Sequence, residues 1–197
     1  MQANIQKREI KSSTLYSRSL LTRNILLPIT AIGKNLRETL ERNLIAQYEG
    51  KCVVEGFIRP GSSKIITYSS GLIIRGNQVS FEIVFECDVC FPVEGMLISC
   101  VAKNITKAGI RAESAFDKPS PIVVFVARDH HYNDTYFGEV QEGDTIDIRV
   151  IGQRFELNDA YISIIAELVK PNKILETGFQ KTATKEKTKK PRLKILG

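Results

Sequence analysis

The spacing of apolar residues changes twice along this chain, and those changes limit the folds open to it. Between Leu36 and Tyr48 the apolar positions Leu36, Leu40, Leu44, Ile45 and Tyr48 recur at three and four, the period of a helix with one buried stripe. From Lys51 the period becomes two, most clearly in Val79-Ser-Phe-Glu-Ile83, as in a strand with one covered face. After Pro92 the apolar runs shorten and come between turn residues at the spacing of a small barrel. The stretch Phe91 to Glu113 is therefore where one strand pattern gives way to another.

The first pattern predicts an α+β tip domain over 14–92, a helix lying on an antiparallel sheet. Leu15 to Ile29 reads as one long or broken strand. Asn35 stands where a cap belongs and Glu38 completes a capping box, while Glu49-Gly50 ends the helix. Lys51 to Ile58 reads as a single strand, Arg59 to Ser63 as a turn, and Lys64 to Ile74 as a strand interrupted at Ser-Ser-Gly. Arg75-Gly76-Asn77 makes a hairpin turn into Gln78 to Phe91. The helix is expected to cover the sheet.

The second pattern predicts an all-β, five-stranded OB-fold barrel over 93–170. Its strands are Met96 to Ile105, Ile110 to Glu113, Ile122 to Ala127, a run containing Ile146, Ile148 and Val150, and Ala160 to Leu168. The segment Asp129 to Gly138 is a loop-like insertion between the third and fourth.

Charge adds less than its total suggests. Residues 181–197 hold six Lys and one Arg against Glu186, which equals the +6 of the whole chain, so the first 180 residues carry no net charge. Residues 1–13 are read as a mobile leader and 171–197 as a basic disordered tail. No window approaches the about 18 apolar residues of a membrane span, and no secretory block opens the chain. The expectation is an intracellular protein with no membrane partner.

Little in the sequence suggests catalysis or a cofactor. Cys87-Asp-Val-Cys90 lacks a second ligand pair, and in a strand its two thiols point to opposite faces, so Cys52, Cys87, Cys90 and Cys100 read as ordinary reduced thiols. His130 and His131 read as exposed loop histidines, and no nucleophile is placed beside them. No phosphate-binding glycine motif is present. Neither catalytic residues nor a metal or cofactor are expected.

A binding surface is the better reading. OB barrels bind single strands across their second and third strands, with cations for phosphates and rings for bases. Lys103, Lys107 and Arg111 lie near the first two strands, Arg128, His131 and Tyr132 follow the third, and Arg149, Arg154 and Tyr161 belong to the last two. Phe125 could be a stacking ring, but in a wholly apolar strand such a residue is more often core.

Several segments resemble the seventh-subunit family of multisubunit RNA polymerases, the larger member of the stalk heterodimer. They are Leu27-Pro28 with Ile32-Gly33-Lys-Asn-Leu36, Tyr48-Glu-Gly-Lys-Cys52, Val79 to Gly95, and Val150-Ile-Gly-Gln-Arg154 with Ile162 and Ile164. Asn104 to Glu113 and Val124 to Tyr132 further resemble versions encoded by large DNA viruses of eukaryotes. The resemblance implies a non-catalytic subunit whose tip docks near the clamp of the large polymerase subunits and whose OB domain lies beside nascent RNA. It also implies a smaller fourth-type stalk partner, and a nuclear or cytoplasmic setting, or a viral factory or virion. For docking, Leu15, Leu20 and the loop Arg59, Pro60, Gly61, Ser62 and Ser63 are the expected contacts. One departure stands out: RNA-binding OB modules often place aromatic residues after the glycine of strand two, where this chain has Ile110 and Arg111, which favours phosphate contact over stacking. The alternative reading is a free-standing single-stranded RNA-binding OB protein in translation or RNA metabolism.

Overall fold

The computed structural model describes residues 15–170, apart from Arg75 and Asn133. The expected leader 1–13 and tail 171–197 lie outside the described residues, as does Arg75 of the hairpin turn.

The expected long first strand is β1 (Tyr16–Pro28), followed by the helix α1 (Leu36–Tyr48). Four short strands come next, β2 (Cys52–Val53), β3 (Gly56–Ile58), β4 (Lys64–Tyr68) and β5 (Leu72–Ile74), then the long β6 (Gln78–Cys90). The sheet is antiparallel, ordered β1-β6-β3-β2, with β4 and β5 also paired to β6. Alternation puts Val79, Phe81, Ile83, Phe85, Cys87 and Val89 on one buried face, where Leu40 and Leu44 of α1 cover them. The remainder is β7 (Leu97–Ile105), β8 (Gly109–Ser114), β9 (Ile122–Ala127), a short helix α2 (Thr135–Glu139), β10 (Thr145–Arg154) and β11 (Ile162–Val169). These five strands close into a barrel, β10-β11-β9-β8-β7, with only β9 and β11 parallel. The fold is thus a helix-covered sheet followed by a five-stranded barrel with the strand order of an OB-fold.

Four local expectations are corrected. Asn35 does precede the helix, but its side chain makes no capping bond; at φ −104, ψ 39 it is outside the extended conformation that brings a cap oxygen to the first turn. Its carbonyl instead accepts from Thr39 N–H at 3.1 Å and Thr39 Oγ1 at 3.2 Å. Lys51 to Ile58 is a tight hairpin rather than one strand, reversing at Val54-Glu55, because Gly56 takes φ +130. A side chain there would also drive into the Cys90 carbonyl. The insertion after β9 is partly helical, with a 3-10 turn over Arg128–His130 and Asp134 capping α2 by accepting from Tyr136 N–H at 3.0 Å. Finally, Leu15 is buried at 3% exposure and is withdrawn as a docking contact.

Two cores form, and they do not divide where the strand patterns do. The sheet core is closed by α1. The barrel core extends beyond the barrel to take in Leu15, Cys52, Phe57 and Cys90. Backbone bonds reinforce this joint: Cys52 N–H donates to Asp159 O at 2.8 Å, and Asn158 N–H donates to Cys52 O at 2.9 Å. Arg59 lies over the Tyr16 ring at 5.0 Å and reaches Asp88 of β6 and Asp117 of the barrel, both at 3.8 Å.

The joint depends on the close approach at Gly56. Replacing Gly56 with Ala imposes both an unfavourable φ and a backbone clash, so the variant is expected to lose about 1–3 kcal/mol or more of stability in urea unfolding. Wild-type stability in that variant would mean that the hairpin shifts freely.

Candidate nucleic-acid interface

On the outside of the barrel, side chains line up in rows across neighbouring strands, because paired residues share a face. One row runs Asn104, Arg111, Phe125, Ile165 across β7, β8, β9 and β11. The next runs Val101, Glu113, Val123, Ser163 and ends at Arg154 on β10. A groove lies along these rows. One end, about 350 Å³, is lined by Thr106, Gly109, Arg111 and Phe125. The other, about 450 Å³, is lined by Lys103, Arg111, Lys118 and Tyr161. Arg111 and Val123 belong to both ends.

The expected contacts separate into groups. Lys103, Arg111 and Tyr161 share the groove. Lys107 is in the β7–β8 turn, to which Arg128 is tied through its N–H to Ala108 O at 3.0 Å and its guanidinium to Thr106 O at 3.4 Å. That guanidinium also lies over the Phe137 ring at 5.2 Å. Tyr132 projects into solvent on the segment before α2. Arg154 flanks the groove from β10 while paired with Glu156 at 3.2 Å. Arg149 is outside these rows, paired with Glu167 at 3.0 Å.

His131 is corrected outright: it is buried at 8% exposure. Its Nδ1 is 2.8 Å from Ala127 O, and Leu168 N–H donates to Nε2 at 2.9 Å. These partners assign the proton to Nδ1, and the ring stacks on Phe137 at 5.3 Å. His131 thus fastens the helical insertion to the ends of β9 and β11 and offers no free edge to a ligand.

For Phe125 the structure favours the less expected of its two readings, an outward ring over a core residue. It is 39% exposed, because β9 buries Ile122, Val124 and Val126 and so turns position 125 outward. With both faces of the strand apolar, periodicity carried no signal; the parity of the inward β8 and β9 residues was the available clue. Gly109 accommodates the ring, since a Cβ there would stand 3.0 Å from Phe125 Cζ.

Of the docking set, Leu20 is exposed opposite Glu86. Pro60 and Gly61 are exposed on a loop held from behind by Glu49, whose carboxylate accepts from Gly61 N–H at 2.6 Å and Ser63 N–H at 2.9 Å. Ser62 is half-buried, its hydroxyl donating to Arg59 O at 2.7 Å and accepting from Asp88 N–H at 3.1 Å. Leu26 and Leu72, unassigned from sequence, are exposed on either side of Ser80 on the uncovered face of the sheet.

All four thiols are free and buried, with Cys87 in the sheet core and Cys90 in the barrel core. Burial pushes Cys52 and Cys87 up to about 11 and Cys90 and Cys100 up to about 12, with nearby carboxylates adding to it. Among the described residues, no three or more His, Cys, Asp or Glu side chains converge as metal ligands, and no helix is long and apolar enough to cross a membrane.

No protein-family model matches the chain. It is similar to a protein of Acanthamoeba polyphaga mimivirus named as a DNA-directed RNA polymerase subunit, 27% identical over 73% of this chain and 76% of that one. It is similar also to DNA-directed RNA polymerase II subunit 7 of Arabidopsis thaliana, 28% identical over 83% and 85%. DNA-directed RNA polymerase II subunit RPB7 of Glycine max is 24% identical over 72% and 86%.

Three outcomes test these assignments. His131→Phe keeps the ring stack but leaves the buried Leu168 N–H without its acceptor, so it should cost about 1–3 kcal/mol in urea unfolding and leave RNA crosslinking unchanged. Reduced crosslinking by a fully folded variant would restore His131 to the interface. The folded state holds the thiol protons that the unfolded chain gives up near pH 8.5, so stability should fall as pH rises from about 9 toward 11. The same thiols should resist alkylation at pH 8 until the chain is unfolded; rapid labelling of the folded protein would contradict their burial.

Proposed function

We propose that this chain, a homologue of the seventh-subunit stalk proteins of DNA-directed RNA polymerases with a viral version among its relatives, is itself a non-catalytic stalk subunit. The sheet end docks near the clamp of the large subunits, a smaller fourth-type partner packs alongside, and the barrel contacts nascent RNA. One observation carries this reading: the 165-residue match to the plant subunit is longer than either the sheet or the barrel, so it takes in both. A lone RNA-binding barrel needs no such sheet.

The surface supports the same reading. Leu20, Leu26, Leu72 and Ile73 expose apolar area on the sheet, where a monomer gains nothing by leaving it in water. The barrel instead brings Lys103, Arg111, Lys118 and an exposed ring to one groove. Apolar docking and polyanion contact are thus divided between the two parts.

Purification of the tagged full chain from its native setting, followed by mass spectrometry, is expected to recover the large polymerase subunits. Deleting 181–197 should leave that recovery intact. Recovery of RNA without polymerase subunits would favour the free-standing RNA binder.

A further inference from the structure

We propose that Phe125 is a stacking platform for one unpaired base of a single RNA strand, with Arg111 holding the adjoining phosphate and Tyr161 receiving the strand at the far end of the groove. This rests on the reading that the barrel contacts RNA, and it names the subsite and the form of RNA that the subsite takes.

The ring's attitude is the first argument. Phe125 Cζ reaches back to within 3.0 Å of where a Gly109 Cβ would stand, so the tip of the ring rests over Gly109. At 39% exposure the ring leaves part of its surface open to a base, which is what stacking needs. Arg111 and Ile165 bracket it in the same row, one from each neighbouring strand.

The charges next to the ring are the second argument. The Arg111–Glu113 separation of 3.9 Å is too long for a hydrogen bond, so the guanidinium keeps its donors for a phosphate. Lys103 and Lys118 stand at the Tyr161 end. Two acids, Glu113 and Asp117, line the same end; Asp117 faces Arg59 at 3.8 Å and accepts from Ser114 Oγ at 3.1 Å. Cations beside an exposed ring fit a polyanion with π-faces better than an apolar peptide. A paired base keeps its faces inside the helix, so the platform selects single strands.

Binding of the full chain to a labelled single-stranded RNA is measured by fluorescence anisotropy at several salt concentrations, alongside photocrosslinking with thiouridine. Phe125→Leu keeps apolar cover over Gly109 but removes the π-face. It should weaken binding by about 5- to 150-fold without changing the salt slope. Phe125→Tyr should bind as wild type. Arg111→Ala should weaken binding and reduce the slope by about 0.7, and crosslinks should map to residues 122–127. Wild-type affinity in Phe125→Leu, with crosslinks elsewhere, would overturn the subsite while leaving RNA contact by the barrel standing. Equal weakening toward duplex RNA would overturn the stacking role. Lost recovery of polymerase subunits with unchanged RNA affinity would make the ring a protein contact. No RNA binding by the wild type at low salt would remove the reading beneath the proposal as well.

Discussion

β6 is paired with β1 along its whole length, and its other edge takes β3, β4 and β5 in turn. Each of its faces changes the environment of what it touches. The odd-numbered residues from Val79 to Val89 are buried under α1. The opposite face begins in water, with Glu82 exposed, and ends at Cys90 in the core of the barrel. Neighbours on a strand point to opposite sides, so Val89 and Cys90 can both be buried only with a core on each side of the sheet. That single parity places the barrel against the end of β6.

The joint is apolar before it is ionic. Arg59 meets Asp88 and Asp117 at 3.8 Å while half exposed, and ion pairs of that kind contribute about 0–1 kcal/mol each. Leu15, Cys52, Phe57 and Cys90 are almost wholly removed from water, and burying a large apolar side chain such as Leu or Phe is worth about 1.5–3 kcal/mol. The hydrophobic contribution is the larger, and the ion pairs set the orientation at its rim. Burial also raises the Tyr16 phenol well above its ordinary range, with Asp117 adding to the effect, so the ring stays neutral beneath Arg59. Sheet and barrel therefore share an apolar joint among the described residues.

Much of this architecture was legible because burial on one face leaves a period. The α1 stripe and the alternation in β6, β10 and β11 were open to reading in this way, while the other barrel strands were marked by short apolar runs between turn residues. What failed lacked a period. Gly56 reverses the chain within a run of strand-forming residues, and only its positive φ reveals the hairpin. His131 looked like a polar loop residue, yet its acceptor nitrogen serves Leu168, which is 37 residues away. Phe125 shows the opposite failure, since a strand apolar on both faces hides which side is wet. The cations were visible as residue types, but only the register put Arg111 beside Phe125 and kept Arg149 away.

The distribution of charge explains why such a groove suits a subunit better than a free protein. Residues 93–170 hold eight Lys and Arg against twelve Asp and Glu, and at physiological salt fields fade over about 8 Å, so the barrel as a whole has no long-range pull on a polyanion. The attraction proposed for it is local, from a few cations and from stacking that salt does not screen. A site of this kind is weak toward RNA free in solution. In the proposed stalk position, beside an emerging strand, such a site would meet its ligand at the high effective concentration that tethering provides, and modest contacts would then be enough to guide the strand. Long-range charge on the barrel would add affinity there, but it would also draw in any other polyanion in reach.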